Sequence, residues 1–253
     1  MINYDMHIHT EYCGHAPGMT VPVILERADE LGLETICITD HIFVEEDLEL
    51  IDKIRDEVER TTSDCTVLVG AEVDVDPDHF DGTLITDRIS QLDYVLASLH
   101  YVPGVGEFAE TPDDNPLEPE VLLERWRTTL LGLAADKHVH AIGHPGRMIG
   151  SSLDLDSHYE DILAIFEEVA PVSAKNNTAW ELNELTAYRL SDYYRQQWYR
   201  IFEIGHAAGV KLIYGSDAHA PEDIGYYEEI KALLAKLPED ALARPTDLLK
   251  VPS

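Results

Sequence analysis

Two histidines stand one residue apart near the start of the chain, in the run Asp5-Met6-His7-Ile8-His9-Thr10. Side chains alternate between the two faces of a strand, so both imidazoles would point to the same side. Imidazole nitrogens paired in this way suit a shared metal ion. A His-x-His pair alone is as easily a surface feature, so its meaning depends on what the rest of the sequence adds.

Other residue types that bind metals follow further strand-like runs along the chain. They are His41, Glu72, His100, His144 and Asp217 with His219, and His15 lies in the loop after the first run. Seven of the 12 histidines occupy such positions. The remaining five end no predicted strand and are interpreted as surface or packing residues: His79, His138, His140, His158 and His206.

The elements that must position these residues alternate between strand and helix patterns. Strands are predicted at residues 2–9, 35–39, 67–73, 94–100, 139–144, 172–175 and 210–216. Helices are predicted at residues 20–31, 46–60, 83–92, 120–135, 159–169, 187–208 and 223–237, the first with Thr20 as N-cap, Pro22 in its first turn and Gly32 at its end. Residues 103–119, rich in proline, glycine and acids, are predicted to form a loop or lid, and the C-terminal tail is predicted to be loosely held.

Seven strand–helix repeats without an obvious linker predict an α/β fold, a closed or nearly closed parallel barrel formed by residues 1–253 as a single domain. A doubly wound open sheet is the alternative. In a barrel the carboxyl ends of the strands meet on one rim, where the candidate ligands would converge. The chain lacks the G-x-G-x-x-G and P-loop patterns of nucleotide-binding proteins.

Composition narrows the classes of partner. Of the 253 residues, 18 are Lys or Arg and 49 are Asp or Glu, a formal net charge of -31 that disfavours long nucleic acid and anionic membranes. Cys13, Cys37 and Cys65 show no paired spacing, which fits reduced thiols in a cytoplasmic protein. Cys37 is expected to pack in the core, and Cys13 to be a bystander near the site. Neither a signal peptide nor an apolar run of about 18 residues is visible.

The ligand motifs together resemble the polymerase-and-histidinol-phosphatase (PHP) family. The resemblance rests on His7-Ile8-His9, Thr39-Asp40-His41, Gly70-Ala71-Glu72, Ser98-Leu99-His100, Gly143-His144-Pro145 and Gly215-Ser216-Asp217-Ala218-His219. It spans nearly the whole chain, from His7 to Pro221. It implies a distorted seven-stranded β/α barrel, similar to a TIM barrel, with up to three metal ions at the rim.

The resemblance also implies a role for each motif residue. His7, His9, Glu72 and Asp217 would hold one metal, and Glu72 would bridge to a second metal held by His100 and His144. A third metal would be held by His15, His41 and His219. Asp40 matches an acidic residue beside a ligand histidine, and orientation of that ligand is its expected role.

Ligands of these types suit two to three divalent ions of zinc, manganese or iron without selecting one of them. Close metals lower the pKa of a bridging water and so supply a hydroxide nucleophile. The predicted function is therefore hydrolysis of a small phosphate monoester, as in histidinol-phosphatase. Arg147, three residues after His144, is the predicted phosphate-binding cation, against the alternative of a surface arginine paired with acids. Lys175 is a second candidate.

Three other functions stay open on the sequence. The family resemblance also covers phosphoesterases or nucleases acting on nucleotides or short oligonucleotides, and non-catalytic metal-binding modules linked to polymerases. A purely structural metal protein is the third, although structural zinc sites are usually rich in cysteine. Oligomeric state is left open as well.

Overall fold

A computed structural model describes residues 2–102, 106–107, 117–147 and 155–249 of the chain. The strands are β1 Tyr4–Ile8, β2 Thr35–Ile38, β3 His41–Ile42, β4 Thr66–Val69, β5 Ala71–Asp74, β6 Val95–Ser98, β7 Tyr101–Val102, β8 Gly106–Glu107, β9 Ala141–Ile142, β10 Ala179–Asn183 and β11 Leu212–Gly215. The helices are α1 Val21–Leu31, α2 Leu48–Arg60, α3 Pro119–Ala135, α4 Leu155–Asn176, α5 Glu184–Arg189, α6 Asp192–Ala207, α7 Lys231–Leu234 and α8 Pro245–Leu248.

Parallel pairing connects the strands in chain order. One sheet has the order β1-β2-β4 and the other the order β11-β10-β9-β6-β5-β3, while β7 and β8 form a separate antiparallel pair. β4 and β5 are the halves of the strand predicted at 67–73, which changes sheet midway, and β3 follows the strand predicted at 35–39 and lies in the other sheet from β2. Gly70 marks the break between β4 and β5, where a Cβ atom would lie 2.5 Å from the Tyr94 carbonyl oxygen, so only glycine permits this approach of the backbones.

The first and last strands meet at their carboxyl ends. The Asp217 N–H donates to the His7 carbonyl at 2.8 Å and the His9 N–H donates to the Ala218 carbonyl at 3.0 Å. Each of the seven strand positions therefore neighbours its successor in the chain, without the reversal of order that a doubly wound sheet contains. This arrangement confirms the barrel-like α/β prediction, with the distortion located at the two broken strands.

Local sequence determines where helix α1, one of the helices packed around the strands, begins and ends. The Thr20 hydroxyl accepts the Val23 N–H, Pro22 lies in the first turn, and Gly32 ends the helix at φ 66°. The predicted start and end of this helix are thereby confirmed. Its buried stripe, Val21, Ile24, Leu25 and Ala28, has the spacing of one helical face and packs into the core.

The predicted sixth strand is wrong. Residues 172–175 belong to the last turns of α4, and the strand is β10, Ala179–Asn183. The buried stripe of α4, Ile162, Phe166, Val169 and Ser173, keeps a helical spacing through this segment, so the helix continues. Lys175 consequently lies before the amino end of β10, not at the carboxyl end of a strand, and the structure removes the reason for proposing it as a phosphate ligand.

Three other helix predictions need correction. Residues 83–92 contain only the 3-10 turn Ile89–Gln91, because Ile85 N–H bonds to the Asp74 carbonyl and draws the segment beside β5. The predicted helix at 187–208 is two helices, since Ser191 caps α6. Within residues 223–237 the α-helical part is α7 alone. Residues 103–105 and 108–116 of the predicted loop, and residues 250–253 of the tail, lie outside the described residues.

Across the described residues, each helix is either too short or too polar to cross a lipid bilayer.

Candidate metal centre

The predicted ligands lie together at the carboxyl ends of the strands. His7 is in β1, Glu72 is in β5, and the others follow strand ends or, for His41, begin β3. Their nitrogen and oxygen atoms form groups in which all members lie within 4.8 Å of one another: His7, His9 and Asp217; Glu72, His100 and His144; His15, His41 and His219; and His9, His41 and Glu72. A further group joins Cys13 to His9 and His219.

The first group has the geometry of a shared ion. The Nε2 atoms of His7 and His9 lie 2.9 Å apart, and Asp217 Oδ1 lies 3.2 Å from His9 Nε2 and 3.6 Å from His7 Nε2. Two nitrogens bound at about 2.0–2.1 Å would be separated by about 2.9 Å at a right angle and about 3.3 Å at the tetrahedral angle. The spacing of the two imidazoles therefore fits one ion between them.

Glu72 lies at the centre of the whole set. Its Oε1 atom is 2.8 Å from His144 Nε2 and 3.4 Å from His100 Nε2. Its Oε2 atom is 2.7 Å from His41 Nδ1 and 3.4 Å from His7 Nε2. The two oxygens of one carboxylate thus face different groups of histidines, which is the arrangement of a bridging ligand.

The third group consists of stacked imidazoles near the surface. The ring centroids of His15 and His219 are 4.8 Å apart, and those of His15 and His41 are 5.3 Å apart. The Nδ1 atom of His219 lies 2.8 Å from the Asp217 carbonyl, to which it can only donate, so its Nε2 is left as a free acceptor. Phe43 stacks on His41 at 4.6 Å and covers one side of this group.

Charge in the cluster favours a cation. Burial raises the pKa of Glu72, but His100 and His7 hold it well below its ordinary range. Asp217 has a lowered pKa because His7 and His9 outweigh its burial. Burial lowers the pKa of His9 to about 3, so this imidazole is neutral and free to bind a metal. Ionised carboxylates and a neutral imidazole are the protonation states that metal binding requires. Burial lowers the pKa of His7, but Glu181, Asp217 and Glu72 raise it well above its ordinary value, so an ion bound at His7 would displace a proton.

Buried polar atoms without partners give an independent test of fit. Among the residues that the structure describes, His9 Nδ1 is buried without a hydrogen-bond partner, and His41 Nδ1 and Glu72 Oε2 are buried 2.7 Å apart without the geometry of a hydrogen bond. Such atoms cost free energy unless a ligand or solvent meets them. Their position inside the ligand groups fits divalent ions held by nitrogen and oxygen donors.

Hydrogen-bond partners orient the ligands, and the sequence interpretation missed the main ones. Asp74 Oδ2 lies 2.7 Å from His100 Nδ1, and Glu181 Oε1 lies 2.6 Å from His7 Nδ1. Carboxylates commonly fix metal-binding imidazoles in this way. One signal was present for Asp74, which stands two residues after Glu72 on the same strand face, just as His9 stands after His7.

Asp40 is buried beside the first group. It accepts hydrogen bonds from both the N–H and the hydroxyl of Thr10, and its Oδ1 atom lies 3.7 Å from His9 Nδ1. Burial raises its pKa to about 6. The distance places Asp40 next to a predicted ligand, held by the residue that follows His9.

Arg147 lies in the turn after β9, where its N–H donates to the His144 carbonyl at 3.0 Å. It forms no ion pair with any residue in the described part of the chain. His144 itself has φ 26° and Asp217 has φ 59°, both in the left-handed region that only glycine adopts without strain. Backbone strain of this kind clusters at functional sites.

Two of the five histidines predicted to lie outside the site, and Cys37, have surroundings that fit this prediction. His140 is buried in the core, where its Nδ1 accepts the Val95 N–H at 3.0 Å. His79 is largely exposed and lies 3.0 Å from Asp76. Cys37 is completely buried among apolar side chains, as expected of a packing residue.

Comparisons with known proteins agree with this geometry. The sequence profile of the PHP domain matches residues 5–185. The chain is 29% identical over 241 residues to a probable phosphatase of Photobacterium profundum, covering 92% of this chain and 85% of that protein. It is 27% identical to a probable histidinol-phosphatase of Deinococcus radiodurans, with 88% of each chain covered.

The fold is also similar to that of a solved protein. The crystal structure of histidinol phosphate phosphatase from Lactococcus lactis, complexed with zinc, L-histidinol and phosphate, superposes with a TM-score of 0.63. The match covers 93% of each chain at 18% sequence identity. This likeness confirms the barrel-like α/β fold.

Proposed function

Because the chain belongs to the PHP domain family, we propose that it is a metal-dependent phosphatase that hydrolyses a small phosphate monoester. The observation that supports this function most is the position of Glu72, whose two oxygens face separate groups of buried histidines at the carboxyl rim. Active sites of barrel folds lie at this rim.

Nine residues are proposed as ligands of two to three divalent ions. His7, His9 and Asp217 hold the first ion with Glu72, which also serves the second ion together with His100 and His144. The third ion is held by His15, His41 and His219. Each set corresponds to a group whose ligand atoms lie close together. Bound ions supply Lewis acidity, which lowers the pKa of water and neutralises charge on phosphate oxygens.

Three residues of the chain are assigned to the reaction itself. Glu72 would hold ions of two groups, because its two oxygens face separate sets of histidines. Asp40, held by Thr10, keeps His9 in place. Arg147 extends from the turn after His144 and contacts a phosphate oxygen of the substrate, because its guanidinium can hold two such oxygens at once.

A small substrate fits the charge of the molecule. The net charge of -31 repels a long polyanion, which would lie across much of the acidic surface. A single small phosphate at the site would mainly meet the charge of the bound ions. One similar protein is named a probable histidinol-phosphatase and one similar structure is of a histidinol phosphate phosphatase, which makes this ester the first substrate to test.

The test is a substrate panel assayed by release of inorganic phosphate. The chain, reconstituted separately with zinc, manganese or iron(II), is offered histidinol phosphate, other small monoesters, nucleotides and a short single-stranded oligonucleotide. Preference for a small monoester supports the proposal. If the chain released nucleotides from the oligonucleotide but left the monoesters intact, the proposed phosphatase function would be replaced by that of a nuclease. Inactivity on every substrate would favour a non-catalytic metal-binding module.

A further inference from the structure

The sixth strand, β10, supplies none of the nine proposed ligands, yet it ends inside the ligand cluster. Its residues Glu181 and Asn183 are buried, with Glu181 1% exposed and Asn183 fully covered. Two buried polar side chains on a short strand are costly unless their hydrogen bonds are satisfied. Their partners show what these side chains do.

Glu181 contacts ligands from two other strands. Its Oε1 atom lies 2.6 Å from His7 Nδ1, and its Oε2 atom accepts the His144 N–H at 2.7 Å. The Asn183 amide donates to the same Oε2 atom at 3.2 Å and to Asp217 Oδ2, also at 3.2 Å. Glu181 and Asn183 therefore connect His7, His144 and Asp217.

The contact with His7 selects one tautomer of that imidazole. A carboxylate only accepts hydrogen bonds, so Nδ1 of His7 carries the hydrogen. When the ring is neutral, as a bound ion would require, the lone pair is on Nε2, the atom that lies 2.9 Å from His9 Nε2 and 3.6 Å from Asp217 Oδ1. Glu181 thus directs the acceptor nitrogen of His7 at the first ligand group.

The contact with His144 stabilises a strained backbone. His144 has φ 26°, a left-handed conformation that is strained for a non-glycine residue. The hydrogen bond from its N–H to Glu181 holds this conformation, which aims the side chain at Glu72. Gly215 leaves the space for both contacts, because a Cβ atom there would lie 2.2 Å from Glu181 Oε1.

We propose that Glu181 is a positioning residue that sets the ligands of two proposed metal sites at once, through the His7 ring and the His144 backbone. This inference rests on the proposed metal centre. Its particular claim is that one carboxylate, with Asn183 beside it, couples the group of His7 to the group of His144. The sixth strand contributes to the site by this coupling.

The test compares Glu181→Gln with a matched control. Glutamine has the same shape but one acceptor oxygen, so it cannot accept from both His7 and the His144 N–H. Glu184→Gln is the control, since Glu184 is also buried, follows the same strand, and accepts two backbone N–H groups, those of Glu229 at 2.7 Å and Ile230 at 3.1 Å. None of these partners is a proposed ligand.

Zinc affinity is measured for the wild-type chain and both variants by competition with a chromophoric chelator, and folding by circular dichroism. Loss of an outer hydrogen-bond partner of a metal ligand weakens metal binding by about 10- to 100-fold. We expect this loss in Glu181→Gln and a change within about twofold in Glu184→Gln. Equal affinity in wild type and Glu181→Gln, or equal losses in both variants, would overturn the inference.

A second measurement needs no variant and holds if Glu181→Gln does not fold. In the zinc-loaded wild-type chain, two-dimensional ¹H–¹⁵N NMR of labelled histidine reports which ring nitrogen of His7 is protonated. The inference requires a protonated Nδ1. An unprotonated Nδ1 would overturn it, while a wild-type chain that binds no zinc would instead count against the proposed function.

Discussion

Replacing Arg147 by alanine removes a guanidinium that begins three residues after a proposed metal ligand. The Arg147 N–H bonds to the His144 carbonyl, so the turn that carries one residue also positions the other. Burial lowers the pKa of His144 and the positive charge of Arg147 acts in the same direction, which places the guanidinium within electrostatic reach of the site. A phosphate ester at the ions would therefore lie close to it.

The size of the effect follows from the contact that is lost. A hydrogen bond between charged partners contributes about 1.5–3 kcal/mol. Since about 1.4 kcal/mol corresponds to tenfold in rate, Arg147→Ala should lower kcat/KM roughly 10- to 150-fold. Arg147→Lys should recover little of this loss, because an ammonium group does not reproduce the two-pronged contact.

The assay is steady-state kinetics on the best ester of the panel, with metal content measured in parallel. Arg244→Ala is the control, because Arg244 has a 79% exposed side chain paired with Asp247 and follows Ala243, whose N–H donates to the carbonyl of Leu212, the first residue of β11. Metal content should not change in either variant, since arginine is not a metal ligand. If Arg147→Ala stays within about twofold of wild type in kcat/KM, Arg147 does not bind the substrate phosphate.

Three further predictions concern the bridging ligand, the barrel closure and a buried acid. Glu72→Gln should fold normally but lose metal and at least about 100-fold in turnover, because second-sphere changes alone cost 10- to 100-fold; wild-type turnover would remove Glu72 from the site. Asp5 accepts the Ser216 and Gly225 N–H groups, each at 2.9 Å, one on each carboxylate oxygen. Asp5→Asn leaves only one acceptor oxygen, so it should lower the free energy of unfolding by about 1–3 kcal/mol in urea denaturation. Unchanged stability would contradict this role of Asp5. Burial raises the pKa of Glu184 from 4.5 to about 7, so stability should fall more steeply as pH rises between these values in wild type than in Glu184→Gln, where Asp40 still titrates; parallel pH profiles would refute the assignment.

Most of the proposed ligands could be named from the sequence because, His15 apart, they lie in or follow predicted strands. Runs such as residues 94–100 and 210–216 are predominantly apolar, so their carboxyl ends could be located within a residue or two. Parallel strands place those ends on one rim. The convergence of His7, His100 and Asp217 follows from that rule alone.

The sixth strand could not be predicted in the same way. β10 reads Ala-Trp-Glu-Leu-Asn, and Glu and Asn are depleted in strands. Their burial is stabilised by hydrogen bonds with His7, His144 and Asp217, and Asn183 Oδ1 also accepts the nearby Thr186 N–H. The first three partners come from distant parts of the chain, and local propensity contains no information about them.

Local sequence patterns also could not predict the points at which two strands are interrupted. The predicted strand at 67–73 is apolar apart from Glu72, yet Gly70 divides it between two sheets because the Tyr94 backbone approaches there. This close approach depends on how distant strands pack against one another. Tertiary geometry of this kind overrides a continuous apolar run.

The measurement that tests the central claim most directly is metal titration with activity recorded at each step. Metal is removed from the wild-type chain by chelation, confirmed by elemental analysis, and returned in small increments while phosphate release is followed. The three ligand groups predict that activity vanishes on removal and returns in proportion to metal, reaching a plateau at about two to three equivalents per chain. Full activity in the chain shown to be free of metal would contradict the account.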